Sequence, residues 1–293
     1  MTVFMSIPGA ERYLNCVLHR GEKDILLVIS VMLIAIVGIP GLILYQILPL
    51  YIESGVEFDL LSFYIYVLFM SVLVAFFAYR MNASLLHHYE RDLEWMSSLI
   101  EYAEGQSKET MALKALRDSM DGLVSRLLYK ITLATFLVLI VADTALAATY
   151  LCLNDYVLYY YEYAVIFTVF ITLSGNALYV VDRIEKIDRT QCKFTQSFSE
   201  CMSDEQPIIG SMPETVKPHR MWLHVVLIVV TLGIYSLILT IMAAHSLNAH
   251  IREQWAYEED LLKWMMTKDG VDNIVHAERE AELSLLGQLY RII

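Results

Sequence analysis

Long uninterrupted apolar runs constrain this chain more than any other feature of its sequence. Four of them, at residues 25–50, 60–79, 131–152 and 157–181, reach the roughly 20 helical residues that cross a hydrocarbon core. The runs are continuous and do not alternate, which argues against membrane-spanning strands. With 57% hydrophobic and 18% charged residues, the chain is typical of integral membrane proteins. The sequence therefore predicts an all-α, polytopic helical membrane protein with four or five transmembrane helices and cytoplasmic helical hairpin or coiled-coil extensions.

The distribution of basic residues predicts the orientation of the chain. None of the 21 Lys and Arg residues falls in the connections 51–59 and 152–162, whereas seven lie in 80–130 and six in 182–220. The positive-inside rule then places the N-terminus and both long connections in the cytoplasm of a multi-pass protein of the cell membrane. The net charge of −12 argues against nucleic acid as a partner. The expected partners are membrane lipids and either further copies of the chain or other subunits of a membrane complex.

One unit occurs three times: an apolar segment, an Asn-Ala pair, and a helix with apolar residues at steps of three and four. The pairs begin at Asn82, Asn176 and Asn248, and the most similar copies are YERDLEWM at 89–96 and YEEDLLKWM at 257–265. Such steps are typical of a coiled-coil seam. Charges of alternating sign at 182–189 predict that the opposite face of the second copy is exposed to solvent. The seam predicts an assembly interface formed by Leu86, Tyr89, Leu93, Met96, Leu262 and Met265. The alternative is that the helices of the three copies pack against one another inside one subunit.

These elements divide the chain into seven segments. They are an N-terminal interfacial segment (1–23), transmembrane helices 1 and 2 (24–79), a cytoplasmic helical hairpin (80–130), transmembrane helices 3 and 4 (131–181), a cytoplasmic helix with a Pro- and Gly-containing loop (182–220), a fifth membrane segment (221–247), and a C-terminal helical tail (248–293). The first segment is expected to hold a short interfacial helix at 8–18.

The fifth membrane segment is compatible with two topologies. A straight span places the C-terminal helix on the side opposite to its two relatives, whereas a hairpin that bends at Gly233 returns it to their side. The sequence TLGIY at 231–235 resembles the core of a membrane repeat of about thirty residues, here Met221 to Ile251, found in poorly characterised prokaryotic multi-pass membrane proteins. Leu237 and Ile238 stand where that repeat commonly carries a Trp. The resemblance implies a shallow re-entrant hairpin and no particular activity.

Polar residues inside the apolar runs are candidates for intramembrane function. Asp143 lies near the middle of the third run and is followed by Thr144, and a carboxylate at that depth costs at least ~2.5 kcal/mol. One interpretation is a path for protons or ions. The other is a protonated carboxyl group that is hydrogen-bonded to Asn176, Thr172 or a neighbouring subunit. The candidates are therefore Asp143, Thr144 and Asn176.

Histidines flank two of the predicted membrane exits, as His87-His88 and as His245 and His250. Membrane di-iron enzymes use histidine clusters that include HxxHH, but Ser84 stands three residues before His87. The sequence contains no HExxH, Ser/His/Asp or phosphate-loop signature either. We therefore expect interfacial histidines, no catalytic residue, no metal and no cofactor.

Two functions remain after these exclusions. The first is a non-catalytic integral membrane scaffold or assembly protein, which acts through helical oligomerisation or by docking a larger membrane complex. The length of the predicted seam favours it, because five to six consecutive heptad positions exceed what a connector needs. The alternative is an oligomeric ion channel or transporter component with Asp143 in the path.

Overall fold

The computed structural model describes residues 8–18, 60–153, 158–203, 210–231, 233 and 235–268. These residues form helices and connecting segments without a strand, which confirms the predicted all-α fold. The predicted first apolar run at 25–50 and the tail beyond residue 268 lie outside the described residues. The helices are α1 (Ala10–Leu18), α2 (Leu60–Gly105), α3 (Met111–Met120), α4 (Arg126–Leu153), α5 (Leu158–Met202), α6 (Met221–Val230) and α7 (Tyr235–Lys268).

Three of the described helices are long and apolar enough to cross a membrane. The qualifying stretches are Val67–Gly105 in α2, Arg126–Thr149 in α4 and Ala164–Met202 in α5. They coincide with the second, third and fourth apolar runs of the sequence. Large apolar side chains on their outer faces, such as Phe76 and Val138, are more than 60% exposed. Such faces suit contact with lipid, so the helices are compatible with a membrane protein.

The helices α2 and α5 run in the same direction. The Nδ2 atom of Asn82 donates a hydrogen bond of 2.6 Å to Oδ1 of Asn176. Further along both helices, the rings of Trp95 and Phe194 lie 6.0 Å apart. Two such contacts in the same order fix a parallel arrangement, and α4 packs against both helices. The Asn-Ala positions of the first two sequence repeats are therefore at the same level in the fold.

The fifth apolar segment folds back on itself. The Nδ1 atom of His224 in α6 and the hydroxyl oxygen of Tyr235 in α7 lie 2.9 Å apart. Eleven residues of one straight helix would separate their Cα atoms by about 16 Å. Gly233 lies between the two helices with φ of +91°, a left-handed conformation that favours glycine. The described part of this segment is therefore a helical hairpin and not one straight helix.

The hairpin brings α7 parallel to α5. Its bend at Gly233 lies against Phe170, since a Cβ atom at Gly233 would be 3.1 Å from that of Phe170. Further along, the ring of His250 contacts the carboxylate of Asp188. All three helices that follow the Asn-Ala pairs (the ends of α2, α5 and α7) consequently extend to the same side. We call this side of the fold the polar end.

Two short helices pack against the long helices at the polar end. The Tyr89 hydroxyl of α2 donates to the Met120 carbonyl at the end of α3, 2.9 Å away. The α1 helix lies against α2 and α7, and the Tyr13 hydroxyl donates to the Glu258 carbonyl. Of its predicted apolar side, Tyr13, Leu14 and Val17 are buried and Leu18 is exposed. Gly9 makes the contact between α1 and α2 possible, because a Cβ atom there would lie 2.4 Å from the Ser98 carbonyl oxygen.

The hairpin predicts where engineered cysteines react. We expect Glu109→Cys in the α2–α3 connection and Lys263→Cys on α7 to be labelled from the same side of the membrane, because both positions lie at the polar end. The measurement is maleimide labelling in intact cells and in inverted vesicles, in a background whose native cysteines are replaced by serine. Labelling of the two positions from opposite sides would show that 221–247 is a true fifth span.

Candidate metal centre

Buried polar side chains from α2, α5 and α7 meet at the polar end. The group, which we call the polar layer, has exposed fractions between 0 and 7%. Burying so many ionisable groups is unfavourable unless they satisfy one another or bind an ion. The layer consists of His88, Arg91, Asp92, Asp188, His250, Gln254 and Glu258.

The helix α2 contributes an imidazole and a carboxylate to the layer from successive turns. His88 and Asp92 are four residues apart and lie on one helix face, with Nε2 of His88 3.2 Å from Oδ2 of Asp92. His250 of α7 approaches this pair, and its ring centroid is 5.1 Å from that of His88 at an interplanar angle of 84°. Ligand atoms of the three residues all lie within 4.8 Å of one another.

The carboxylate of Asp188 on α5 orients His250. Its Oδ1 atom is 2.7 Å from Nδ1 of His250. Its Oδ2 atom accepts hydrogen bonds of 3.0 Å from the backbone N–H groups of Thr215 and Val216. Because an ionised carboxylate only accepts, the proton of a neutral His250 ring resides on Nδ1 and Nε2 carries a lone pair. That Nε2 atom is buried and has no hydrogen-bond partner in the described part of the chain.

Arg91 and Glu258 form an ion pair on the side of the polar layer that faces α1. The guanidinium of Arg91 contacts both carboxylate oxygens of Glu258, with Nη1–Oε2 at 3.0 Å and Nη2–Oε1 at 2.8 Å. The same Nη2 atom lies 3.7 Å from Oδ1 of Asp92. Arg91 therefore compensates the charge of Glu258 first and that of Asp92 only in part.

The donor set suits a divalent first-row transition metal. Imidazole nitrogen and carboxylate oxygen are ligands that Zn²⁺, Fe²⁺ and Co²⁺ accept at about 2.0–2.2 Å. Tetrahedral ligands at that bond length are about 3.4 Å apart. The ligand atoms of the three residues lie within 4.8 Å of one another, so metal binding would draw them closer together. A histidine that ligates a metal through one nitrogen commonly donates its other N–H to a carboxylate, as His250 does to Asp188.

An open pocket of about 360 Å³ lies between α1 and α2. Arg91 belongs both to its wall and to the polar layer, so the pocket reaches the layer from the outside. Burial raises the pKa of the Cys16 thiol in this wall to about 11, which keeps it protonated near neutral pH. The pocket is lined by Asn15, Cys16, His87, Glu90, Arg91 and Glu94.

The structure places the predicted intramembrane residues on α4 and α5. Asp143 is fully buried on α4. The Thr144 hydroxyl donates to the Ile140 carbonyl of its own helix, and Asn176 accepts a hydrogen bond from Asn82. Asn176 thus has a structural role between α2 and α5. The ion path through Asp143 stays a prediction.

The predicted assembly interface packs within a single chain. Tyr89, Met96, Leu262 and Met265 are buried in the main apolar core with exposed fractions of 0 to 5%, and Leu86 and Leu93 are partly buried against it. The heptad pattern thus accounts for packing between α2, α5 and α7. Self-assembly stays a prediction that requires a different surface.

Sequence reasoning identified none of the seven residues of the polar layer as a site, and it misplaced three of them. It predicted His88 and His250 at the membrane interface and Asp188 on a solvent-exposed helix face, but all three are at most 1% exposed. Their neighbours His87 and His245 are exposed. The repeat contained a usable signal. His88 and Asp92 stand six and ten residues after the first Asn, and Gln254 and Glu258 stand six and ten residues after the third.

No protein-family model, curated protein or solved structure matches this chain. The resemblance of the TLGIY segment to a prokaryotic membrane repeat accordingly stays a prediction.

Proposed function

We propose that this chain is a non-catalytic integral membrane protein in which a divalent transition metal fastens the re-entrant helix α7 to α2 and α5. The observation that carries the proposal is the environment of the His250 ring. Its Nδ1 atom contacts Asp188, and its Nε2 atom is buried without a hydrogen-bond partner among the described residues. A ring nitrogen of His250 lies within 4.8 Å of ligand atoms of His88 and Asp92. A neutral imidazole nitrogen that is buried in this way forgoes a hydrogen bond to water, and a bound metal would compensate that loss.

The charge of the polar layer also favours a divalent cation. Its three buried carboxylates face one buried guanidinium, which leaves a net charge of −2 when both histidines are neutral. Two protonated histidines would balance this charge as well. They would, however, hold two imidazolium rings 5.1 Å apart, and would leave the Nε2–H of His250 without an acceptor among the described residues. One bound metal ion would balance the charge without two adjacent imidazolium rings, and it would give Nε2 of His250 a partner.

The origin of the ligands supports a role in assembly of the helices. His88 and Asp92 belong to α2, His250 belongs to α7, and the supporting Asp188 belongs to α5. A metal that binds these side chains links three helices that meet only through tertiary packing. Its binding free energy is then in part the free energy of docking α7.

The location of the protein follows from the basic residues. The positive-inside rule favours a multi-pass protein of the cell membrane whose polar end, and with it the metal centre, lies in the cytoplasm. The centre is then in contact with the cytoplasmic metal pool. The scaffold function predicted from the sequence is retained in this proposal, with metal-dependent helix docking in place of an exposed seam.

Paired histidine variants test the proposal. We expect the full-length protein in mild detergent to bind about one Zn²⁺ per chain, and His88→Ala and His250→Ala each to weaken binding by at least about 100-fold, because each removes a ligand. Binding is measured by competition with a chromophoric chelator. The matched controls His87→Ala and His245→Ala, whose side chains are exposed, are expected to bind like the wild type. Equal affinity in all four variants would refute the site, as would a wild type without bound Zn²⁺.

A further inference from the structure

Gln254 lies within the proposed metal centre but has no role assigned so far. It follows His250 by one helical turn on α7, so both side chains face the His88–Asp92 pair, and it is fully buried. Its Nε2 atom donates a hydrogen bond of 2.8 Å to Oδ1 of Asp92. Because a carboxylate cannot donate, this contact fixes which end of the amide is the nitrogen.

The carbonyl oxygen of the Gln254 amide is unusual in its hydrogen bonding. Its Oε1 atom is buried and has no hydrogen-bond partner in the described ranges of the chain. A buried amide oxygen without a donor is unfavourable, and native proteins contain few of them. An amide carbonyl oxygen is also a metal ligand, and it brings no additional negative charge.

We propose that Oε1 of Gln254 is the fourth metal contact, which completes a set of two imidazoles, one carboxylate and one amide. This inference rests on the proposed function, because it assigns a further ligand to the same centre. With Gln254 included, each of the two facing helices supplies two donors to the metal. Protein side chains then fill all four coordination positions, as is usual for structural zinc sites and unusual for catalytic ones.

Gln254 also has a counterpart in α2 when residues are counted from the Asn-Ala pairs. It stands six residues after Asn248, as His88 stands six residues after Asn82. Alignment of Tyr89 with Tyr257 instead pairs His88 with Ala256, so the correspondence holds only in the first count. In that count Glu258 stands at the position of Asp92, and Arg91 contacts its carboxylate. In this arrangement α7 offers His250 and Gln254 to the metal, and α2 offers the pair at 88 and 92.

Cobalt spectroscopy separates a ligand from a residue that only orients Asp92. Four-coordinate Co²⁺ absorbs visible light much more strongly than six-coordinate Co²⁺, so loss of a ligand to water changes the spectrum. We expect the full-length wild type to give a four-coordinate spectrum with one equivalent of Co²⁺. In Gln254→Leu we expect a weaker spectrum and a 10- to 100-fold loss of affinity. The control Gln196→Leu, at an exposed position of α5, is expected to match the wild type.

A second variant keeps the test decisive if Gln254→Leu does not fold. Gln254→Glu retains an oxygen donor and loses the N–H to Asp92, so we expect an intense four-coordinate spectrum with shifted bands. An unchanged spectrum in either folded variant would overturn the fourth ligand, even if affinity falls, and would leave the centre itself intact. Absence of Co²⁺ binding by the wild type would overturn both the centre and the ligand.

Discussion

Removal of the metal from the wild-type protein is expected to lower its free energy of unfolding by about 4 kcal/mol, relative to protein at a free Zn²⁺ concentration one thousand times its Kd. The metal binds only the folded arrangement, because its ligands come from helices that are distant in sequence. For a chain of this size the change corresponds to a fall in the unfolding midpoint of roughly 8–16 °C. Circular dichroism in detergent, after dialysis against a chelator and after Zn²⁺ is restored, measures the shift.

Two variants show whether the shift arises at the proposed centre. His250→Ala should unfold at the same temperature with and without Zn²⁺, since it lacks a ligand. His245→Ala, at an exposed position of the same helix, should retain the full shift. If chelator-treated and Zn²⁺-loaded wild-type protein unfold together, the metal does not fasten α7 to the other helices.

A second large loss of stability is expected when the buried ion pair between Arg91 and Glu258 is broken. Arg91→Ala should destabilise the protein by about 3–5 kcal/mol, because it leaves the fully buried carboxylate of Glu258 without its bidentate partner. The measurement is chemical unfolding at saturating Zn²⁺ and again without metal, so that loss of charge compensation is separated from altered metal affinity. The destabilisation should persist without metal.

An exposed ion pair provides the control for Arg91. Arg126 contacts Glu90 at 2.7 Å with most of its side chain in solvent, so Arg126→Ala should change stability by at most about 1 kcal/mol. The double variant Arg91→Met with Glu258→Met should recover most of the lost stability, since it removes both charges and keeps their volume. If the two alanine variants are equally stable, the Arg91–Glu258 pair does not compensate a buried charge.

The sequence predicted those features that depend on local pattern. Continuous apolar runs predicted the membrane-compatible helices α2, α4 and α5, because the length and composition of a run decide whether it can cross a bilayer. Heptad spacing identified Tyr89, Met96, Leu262 and Met265, which are buried as core residues. The pattern does not show what covers such a seam. Here the covering surface is the same chain and not a second copy.

The candidate metal centre was not predicted from the sequence, because its residues come together only through tertiary structure. His88 and His250 are on helices whose parallel arrangement depends on the bend at Gly233, and the sequence left that bend undecided. Asp188 was misjudged for a different reason. Alternating charges indicated an exposed face, but the irregular segment 210–220 covers part of that face, with Met212 and Val216 buried. Such a segment has no periodicity from which its position can be derived.

The proposed re-entrant topology of the hairpin at Gly233 would have a consequence for the number of membrane crossings. A segment that enters and leaves through one surface contributes no net crossing, so everything attached after it keeps its compartment. Such a unit can be duplicated, deleted or exchanged without changing the side of the membrane on which later segments lie. Each straight span, in contrast, moves the segments that follow it to the other side. A third copy of the helix that follows an Asn-Ala pair could therefore be acquired in a single event. No further transmembrane helix would be needed to keep that copy on the same side, and the distribution of basic residues would not have to change.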